Sequence, residues 1–202
     1  MKNYLKSNTY IISLWIALTA AASAAGVEPV WSLAQKEKPA LLETLKQLTA
    51  IESGSREPEE LDKIAKVLSS RLQALGAKVE VIEATEADTV RLSDTPDKLG
   101  KMVKATFSGT GTKKILLMAH MDTVYPRGMA VQQPYRIDGD RAYGLGIADA
   151  RGGIATILHA LAILKTMNYR DYGIFIVFIN PDEEIGSPGS RNHHMWLGAQ
   201  HD

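Results

Sequence analysis

Hydrophobic residues recur along the chain with two different periods, one typical of helices and one typical of buried strands. Apolar side chains at three- and four-residue intervals predict helices over residues 32–51 and 57–75, and Gly76 is positioned to end the second. Short apolar runs predict strands, and a third helical pattern separates the last two of them. The predicted strands are residues 78–84, 102–109, 113–121 and 173–179, and the third helix covers residues 153–167.

This alternation of helices and strands predicts an α/β domain built in layers, in which helices cover a largely buried sheet. The chain has 202 residues, of which 45% are hydrophobic, and this suits one domain with or without an appendage. In such sheets ligands bind beyond the carboxyl ends of the strands. The residues that follow each strand are therefore the first candidates for chemistry.

Charge and cysteine content restrict the possible partners. Acidic and basic residues number 23 each, so the chain offers no large field of one sign for nucleic acid or an anionic membrane. A small molecule is the expected partner. The chain contains no cysteine, which excludes thiolate metal ligands and a cysteine nucleophile.

The N-terminal segment has the pattern of an export signal. Lys2 and Lys6 precede an apolar run, and residues 22–24 read Ala-Ser-Ala, the small-x-small sequence that signal peptidases cut. Residues 1–24 are therefore predicted to be a signal peptide, with a retained N-terminal anchor as the alternative. The mature protein is expected in the periplasm or outside the cell, without a membrane span.

Three polar clusters stand at predicted strand ends or in the loops that follow. The first, AHMDT, places His120 and Asp122 two residues apart, so both side chains can face the same side of the sheet. In the second, GLGIADARGG, glycines surround Asp149 and allow the backbone to turn this carboxylate inward. A helix cap at Asp149 and a dinucleotide loop are the alternatives. The dinucleotide loop is disfavoured because a carboxylate there would repel pyrophosphate.

The third cluster, PDEE, brings three carboxylates to the end of one of the most apolar stretches of the chain. Asp182, Glu183 and Glu184 repel one another unless a cation lies among them, and a divalent metal is the obvious candidate. One carboxylate can bind a metal while its neighbour takes a proton from water. A solvated acidic turn is the alternative for this segment, as a chance polar strand end is for His120 and Asp122.

Together the three clusters resemble the signature blocks of the M20 family of zinc metallopeptidases, most closely the glutamate carboxypeptidase branch. The blocks read LLMAHMDTVYPRG, GLGIADARGGIA and INPDEEIGSPGSR, in the order and at the separations typical of the family. The similarity runs from about Leu41 to Arg191. It implies a zinc-exopeptidase-like three-layer sandwich around a central mixed sheet, with residues 25–191 forming the N-terminal part of the catalytic domain.

The resemblance also implies a role for each residue at the predicted site. His120 is expected to bind one zinc, Asp149 to bridge two zincs and Glu184 to bind the other. Glu183 is expected to act as general base, and Asp122 to support His120. Two zincs held in this way polarise a scissile carbonyl and lower the pKa of a shared water. A histidine with carboxylates also suits cobalt or manganese.

The sequence departs from the family pattern in two respects. Arg151 stands where the family usually has lysine. Both side chains are cationic, so this replacement is expected to have little consequence. The family's further zinc ligands, and the dimerisation domain through which its members form homodimers, have no counterpart before Asp202. Residues 192–202, NHHMWLGAQHD, lack the family's amphipathic helix and are predicted to be a divergent tail, disordered or rearranged. Met118 and Met121 are expected to be packing residues.

Two functional interpretations follow. In the first, the chain is the N-terminal catalytic portion of an exported, zinc-dependent exopeptidase that removes a C-terminal glutamate from a peptide or small-molecule substrate. Amidohydrolases of the same family, which cleave acyl groups from amino acids, are an alternative within this class. In the second, the chain is a catalytically inactive truncated fragment that binds at most one metal weakly.

Overall fold

The structure, a computed structural model, describes residues 28–201, and the predicted signal peptide at residues 1–24 lies outside them. The chain divides into two compact units, Met1–Lys38 and Pro39–Asp202. Of the first unit the structure describes residues 28–38, which are helical. The second unit contains the sheet and the predicted site.

The elements follow the predicted order, and the structure adds several short ones. The helices are α1 (Glu28–Thr49), α2 (Pro58–Leu75), α3 (Met129–Gln132), α4 (Gly152–Thr166) and α5 (Arg191–Gly198). The strands are β1 (Lys78–Ile82), β2 (Met102–Ser108), β3 (Lys114–His120), β4 (Arg136–Asp138), β5 (Arg141–Tyr143) and β6 (Ile174–Asn180). An irregular turn covers Ile147–Arg151, and a 3-10 turn covers Glu183–Ile185.

Four strands form the central sheet in the order β1-β2-β6-β3. β1 and β6 are antiparallel to β2, whereas β3 is parallel to β6, so the sheet is mixed. His120 at the end of β3 pairs with Asn180 at the end of β6. The carboxyl ends of these two strands therefore lie side by side, and the polar clusters that follow them leave the sheet at the same edge.

One face of the sheet is covered by α2 and α4. The two helices bury their apolar stripes against strand residues such as Val103, Val177 and Ile179. Gly76 ends α2 as predicted, because it adopts the left-handed conformation with φ 105°. The segment Ile147–Thr166 is long and apolar enough to cross a membrane, but its buried residues Ile154, Leu158 and Leu161 belong to this core, as in a core helix.

The opposite face carries a smaller cluster that includes Met102, Phe178 and Leu197. Leu197 belongs to α5, and within residues 28–201 this helix alone represents the third layer that the resemblance implied. A helix over Arg191–Gly198 contradicts the prediction that residues 192–202 are disordered, and the alternative of a rearranged tail stays a prediction. Burial of Leu197 against the strands stabilises eight residues that have little helical signal of their own.

Because α5 covers this second face incompletely, the prediction that Met118 is a packing residue is wrong. Met121 is fully buried, as expected of a packing residue, but Met118 has 49% of its surface exposed. Met118 lies on β3 at the edge of the sheet and alternates with the residues that face the main core. Its side chain therefore points to the face on which α5 packs.

Candidate metal centre

Three segments bring the predicted metal ligands together. His120 is the last residue of β3, Glu184 lies in the 3-10 turn after β6, and Asp149 lies in the irregular turn before α4. One potential ligand atom from each residue lies within 4.8 Å of the other two. An imidazole and two carboxylates at such separations can coordinate one divalent ion. The convergence on which the sequence prediction depended is therefore present.

The turn that carries Asp149 depends on glycine. Gly146 has φ 68°, and a Cβ there would lie 2.7 Å from Thr123 Cγ2, so both its conformation and its surroundings require a residue without a side chain. Asp149 and Ala150 leave the helical conformation, and the peptide bond between them is cis. Asp149 Oδ1 then lies 2.8 Å from His120 Nε2. No side chain caps the start of α4, so the alternative of Asp149 as a helix cap is wrong.

Asp122 connects the ends of β3 and β6. Its side chain is fully buried, and its oxygens accept hydrogen bonds from Ser55 Oγ at 2.7 Å and from the backbone N–H groups of Glu183 and Glu184 at 3.2 and 3.1 Å. The Nδ1 atom of His120 lies 3.3 Å from Asp122 Oδ1. One buried carboxylate thus orients the imidazole and holds the acidic turn in place, which leaves Nε2 directed at the cluster.

The crowded carboxylates change the protonation of their neighbours. Burial lowers the pKa of His120, but hydrogen bonds to Asp122 and Asp149 outweigh burial and raise that pKa to about 9. Burial raises the pKa of Glu184, and the carboxylate of Asp149 raises it further. The neighbouring carboxylates contribute to both shifts, since negative charge concentrated at one point favours a protonated imidazole and disfavours a further carboxylate.

Glu183 lies beside the cluster without belonging to it. Its side chain is exposed, and its charge acts on His120, whereas the three ligand atoms that meet come from His120, Asp149 and Glu184. A carboxylate that is next to a metal site but is not one of the ligands can accept a proton from a water molecule there. This placement suits the predicted role of Glu183 as general base.

Asp182, the first of the three adjacent carboxylates, has a structural role that the sequence did not reveal. It is 1% exposed, and one of its oxygens accepts hydrogen bonds from the backbone N–H groups of Gly189 and Ser190 at 2.7 and 3.1 Å. Its other oxygen accepts from Ser190 Oγ at 2.6 Å and from Asn180 Nδ2 at 3.3 Å. These bonds close the loop between β6 and α5, so the alternative of a solvated acidic turn is wrong for this residue.

Asp182→Ala is expected to lower the free energy of unfolding by about 2 to 3 kcal/mol, because it leaves buried donors of the loop without an acceptor. Urea denaturation followed by circular dichroism measures the change. Asp138→Ala removes an exposed carboxylate and is the matched control, with an expected change below about 0.5 kcal/mol. An Asp182→Ala protein as stable as the control would contradict the role of this carboxylate in closing the loop.

Arg151 is buried, which its motif did not indicate. It is 1% exposed, its Nη1 donates to the carbonyl oxygen of Leu145 at 2.7 Å, and its Nη2 donates to the carbonyl oxygen of Ile51 and to Ser53 Oγ. All three acceptors are neutral, and burial lowers the pKa of Arg151 to about 10. The guanidinium uses its forked geometry to reach two segments, which the compact ammonium of lysine cannot do in the same way.

The C-terminal histidines are not among the residues of the described chain whose potential ligand atoms meet. His193 and His194 belong to α5, and their ring centroids lie 6.0 and 5.3 Å from that of Phe178. His201 Nδ1 lies 2.6 Å from the carbonyl oxygen of Leu197. Within residues 28–201, the cluster of potential ligands contains no histidine other than His120.

Comparison with known proteins agrees with these motifs and this geometry. Residues 116–201 match the sequence profile of peptidase family M20/M25/M40. The chain is 41% identical over 163 residues to carboxypeptidase G2 of Pseudomonas sp. (strain RS-16), and the match covers 81% of this chain and 37% of that protein. The chain belongs to peptidase family M20. The resemblance that the three motifs carry, including the carboxypeptidase branch, is confirmed.

Three further proteins match at lower identity. Acetylornithine deacetylase of Proteus mirabilis is 29% identical over 160 residues, which cover 76% of this M20 chain and 38% of that protein. Human carnosine dipeptidase 1 superposes with a TM-score of 0.69 at 20% identity, over 82% of this chain and 36% of that one. An M20 family metallo-carboxypeptidase of Sulfolobus solfataricus gives a TM-score of 0.61 at 22% identity, over 82% and 35% of the two chains. These structures confirm the mixed-sheet α/β fold, and the chain spans little more than a third of each relative.

Proposed function

We propose that the protein to which this chain belongs is a metal-dependent hydrolase of amide bonds, with His120, Asp149 and Glu184 as metal ligands. The observation that carries the proposal is the meeting of their ligand atoms within 4.8 Å. These atoms come from three segments far apart in sequence, and two carboxylates gathered so closely repel each other unless a cation lies between them. The donor set of one nitrogen and carboxylate oxygens fits zinc.

The chain's own residues divide the remaining work. A divalent metal held by these residues would polarise the scissile carbonyl and make a water molecule more acidic. Asp122 accepts a hydrogen bond from Nδ1 of His120, so that Nε2 would be the ligand atom of this imidazole. Glu183 accepts the proton of the attacking water and then transfers it to the leaving amine. Because backbone bonds to Asp122 fix the turn, Glu183 stays beside the reacting atoms.

The number of metal ions belongs to the proposal as well. Asp149 has 73% of its side chain exposed, so it keeps an oxygen accessible on the side away from His120. We propose that this carboxylate would be shared by two zinc ions, as the family resemblance implies, with His120 as a ligand of one and Glu184 of the other. Cobalt and manganese accept the same ligands, so both are alternatives to zinc and can be compared with it in activity measurements.

The proposed substrate is an amide whose amine side is an amino acid with a free α-carboxylate. Among such amino acids, C-terminal glutamate is the first choice. The 41% identity to carboxypeptidase G2 supports this choice over the deacylase alternative, which rests on 29% identity to acetylornithine deacetylase. A cavity of about 480 Å³ opens beside Glu184, and its wall includes Val124, Tyr125 and Ile185. This space is large enough for a group that flanks the scissile bond. Export to the periplasm and homodimer formation also stay predictions.

The test combines metal binding and hydrolysis on the purified 202-residue chain. After removal of metal with a chelator, zinc at a hundredfold excess over its dissociation constant is expected to stabilise the fold by about 2.7 kcal/mol. Hydrolysis of an N-acyl-glutamate is expected to stop with chelator and return with zinc. His120→Ala is the control and loses both effects.

Each outcome of that test has a meaning. No stabilisation by zinc in the wild-type chain would contradict the metal site. Stabilisation without hydrolysis would support the second interpretation, in which the chain by itself is an inactive fragment. Hydrolysis of N-acetyl-ornithine in preference to N-acyl-glutamate would favour the deacylase alternative.

A further inference from the structure

Of the three segments that carry the proposed ligands, two are fixed by Asp122 and one is not. Asp122 binds His120 and the backbone N–H groups of Glu183 and Glu184, so the ends of β3 and β6 are joined through a buried group. The turn with Asp149 reaches the cluster through a hydrogen bond between His120 and a largely exposed carboxylate. A second connection is needed to hold this turn in register with the strand ends.

Arg151, two residues after Asp149, supplies such a connection. Its backbone N–H donates to the carbonyl oxygen of Gly146 at 2.9 Å, and its Nη1 donates to that of Leu145, so the residue closes its own turn. Its Nη2 reaches out of the turn to residues 51–53, where it donates to a carbonyl oxygen and to a serine hydroxyl. The guanidinium therefore fastens the Asp149 turn to the loop after α1.

That loop is bonded in turn to the residues around Asp122. Thr123 N–H donates to the carbonyl oxygen of Ser53 at 2.9 Å, and Ser55 N–H donates to that of Thr123 at 3.2 Å. Ser53 Oγ donates to the carbonyl oxygen of Met121 at 2.6 Å, and Ser55 Oγ donates to Asp122 Oδ2. Hydrogen bonds thus run without interruption from the Asp149 turn, through Arg151 and the loop, to the carboxylate that orients His120.

The chemistry of the burial indicates that Arg151 does more than fill space. Taking a guanidinium out of water costs free energy, and neutral acceptors repay that cost less well than a carboxylate would. Its Nε is buried and has no hydrogen-bond partner among residues 28–201. An apolar side chain of the same volume would avoid these costs, but it could not link the two segments.

We propose that Arg151 is a positioning residue of the metal site: its buried guanidinium holds the Asp149 turn against residues 51–55, so that Asp149 meets His120 and Glu184. The metal-binding consequence rests on the proposed function. The positioning of the Asp149 turn does not depend on the proposed function, because it can be measured in metal-free protein.

The principal experiment compares Arg151→Met, which keeps the length and loses the donors, with Arg151→Lys, which keeps a charge and part of the bonding. Zinc affinity measured by competition with a chromophoric chelator is expected to fall about tenfold or more in Arg151→Met, with Arg151→Lys in between. Hydrogen exchange in metal-free protein is expected to rise about tenfold in residues 144–151, because the turn loses its outward bonds. Ser53→Ala removes one acceptor and tests the link where Arg151→Met does not fold.

Leu68→Ala is the matched control. Leu68 is fully buried in α2 and belongs to the main core, so its loss destabilises the fold without touching the hydrogen bonds of the site. Leu68→Ala is expected to keep wild-type zinc affinity and wild-type exchange in residues 144–151. Wild-type zinc affinity in Arg151→Met, or an equal loss in Leu68→Ala, would overturn the proposal. If the wild-type chain binds no zinc, the proposed function fails. The positioning role is then tested by hydrogen exchange alone, and unchanged exchange of residues 144–151 in Arg151→Met or Ser53→Ala would overturn it.

Discussion

Glu183→Gln is expected to lower kcat/KM for amide hydrolysis by about 10²- to 10⁴-fold and to leave zinc affinity unchanged. A glutamine has the size of glutamate but cannot take a proton from water at neutral pH. The backbone N–H of residue 183 keeps its hydrogen bond to Asp122, so the turn that also carries Glu184 stays in place. Steady-state kinetics with an N-acyl-glutamate and zinc titration of the same preparation measure the two effects.

The matched control for this substitution is Glu59→Gln. Glu59 is an exposed carboxylate in the first turn of α2 and is not part of the metal cluster, so its variant is expected to retain wild-type kinetics. Full activity in Glu183→Gln would assign the proton transfer to another group. Loss of zinc binding in the same variant would instead make Glu183 a metal ligand.

Asp122→Ala is expected to lower the free energy of unfolding of the metal-free chain by about 3 to 5 kcal/mol, because it breaks a buried charge pair with His120. It also leaves Ser55 Oγ and two backbone N–H groups without their acceptor. Zinc affinity is expected to fall about 10- to 100-fold, since the imidazole and the acidic turn lose their common support. Urea denaturation with chelator present and zinc titration without it separate the two losses.

Asp122→Asn sharpens this prediction. An asparagine keeps the volume and one acceptor oxygen, but its NH2 group faces a position where the carboxylate accepted a hydrogen bond, so an intermediate loss of stability is expected. A stability of Asp122→Ala within about 1 kcal/mol of wild type would show that the buried carboxylate is not the connector between β3 and β6.

Helices and strands with strong local patterns were predictable from the sequence. The helix expected over residues 57–75 is α2, Pro58–Leu75, because its apolar spacing and the glycine after it are both local signals. The strand expected over residues 173–179 is β6, Ile174–Asn180, for the same kind of reason. The short hairpin of β4 and β5 was not predicted, since its three-residue strands are too short to show a period.

α5 shows where local pattern fails. NHHMWLGA, the core of the segment predicted as a divergent tail, has little helical periodicity, and the helix forms because Leu197 is buried against the sheet. Tertiary burial contributes more to a helix this short than the propensities of its residues do. The exposure of Met118 has a related cause, because coverage of a sheet face depends on elements distant in sequence.

The sequence by itself determined the kinds of residue at the candidate site and the edge of the sheet where they meet. His120, Asp149 and Glu184 could be named because strand ends collect ligands and because their motifs match the M20 family. The division of labour within PDEE, with Asp182 closing a loop, was decided only by the tertiary structure. So were the connecting role of Asp122 and the burial of Arg151. Hydrogen bonds between loops depend on which backbone atoms come within about 3 Å of a side chain, and no local sequence pattern contains that distance.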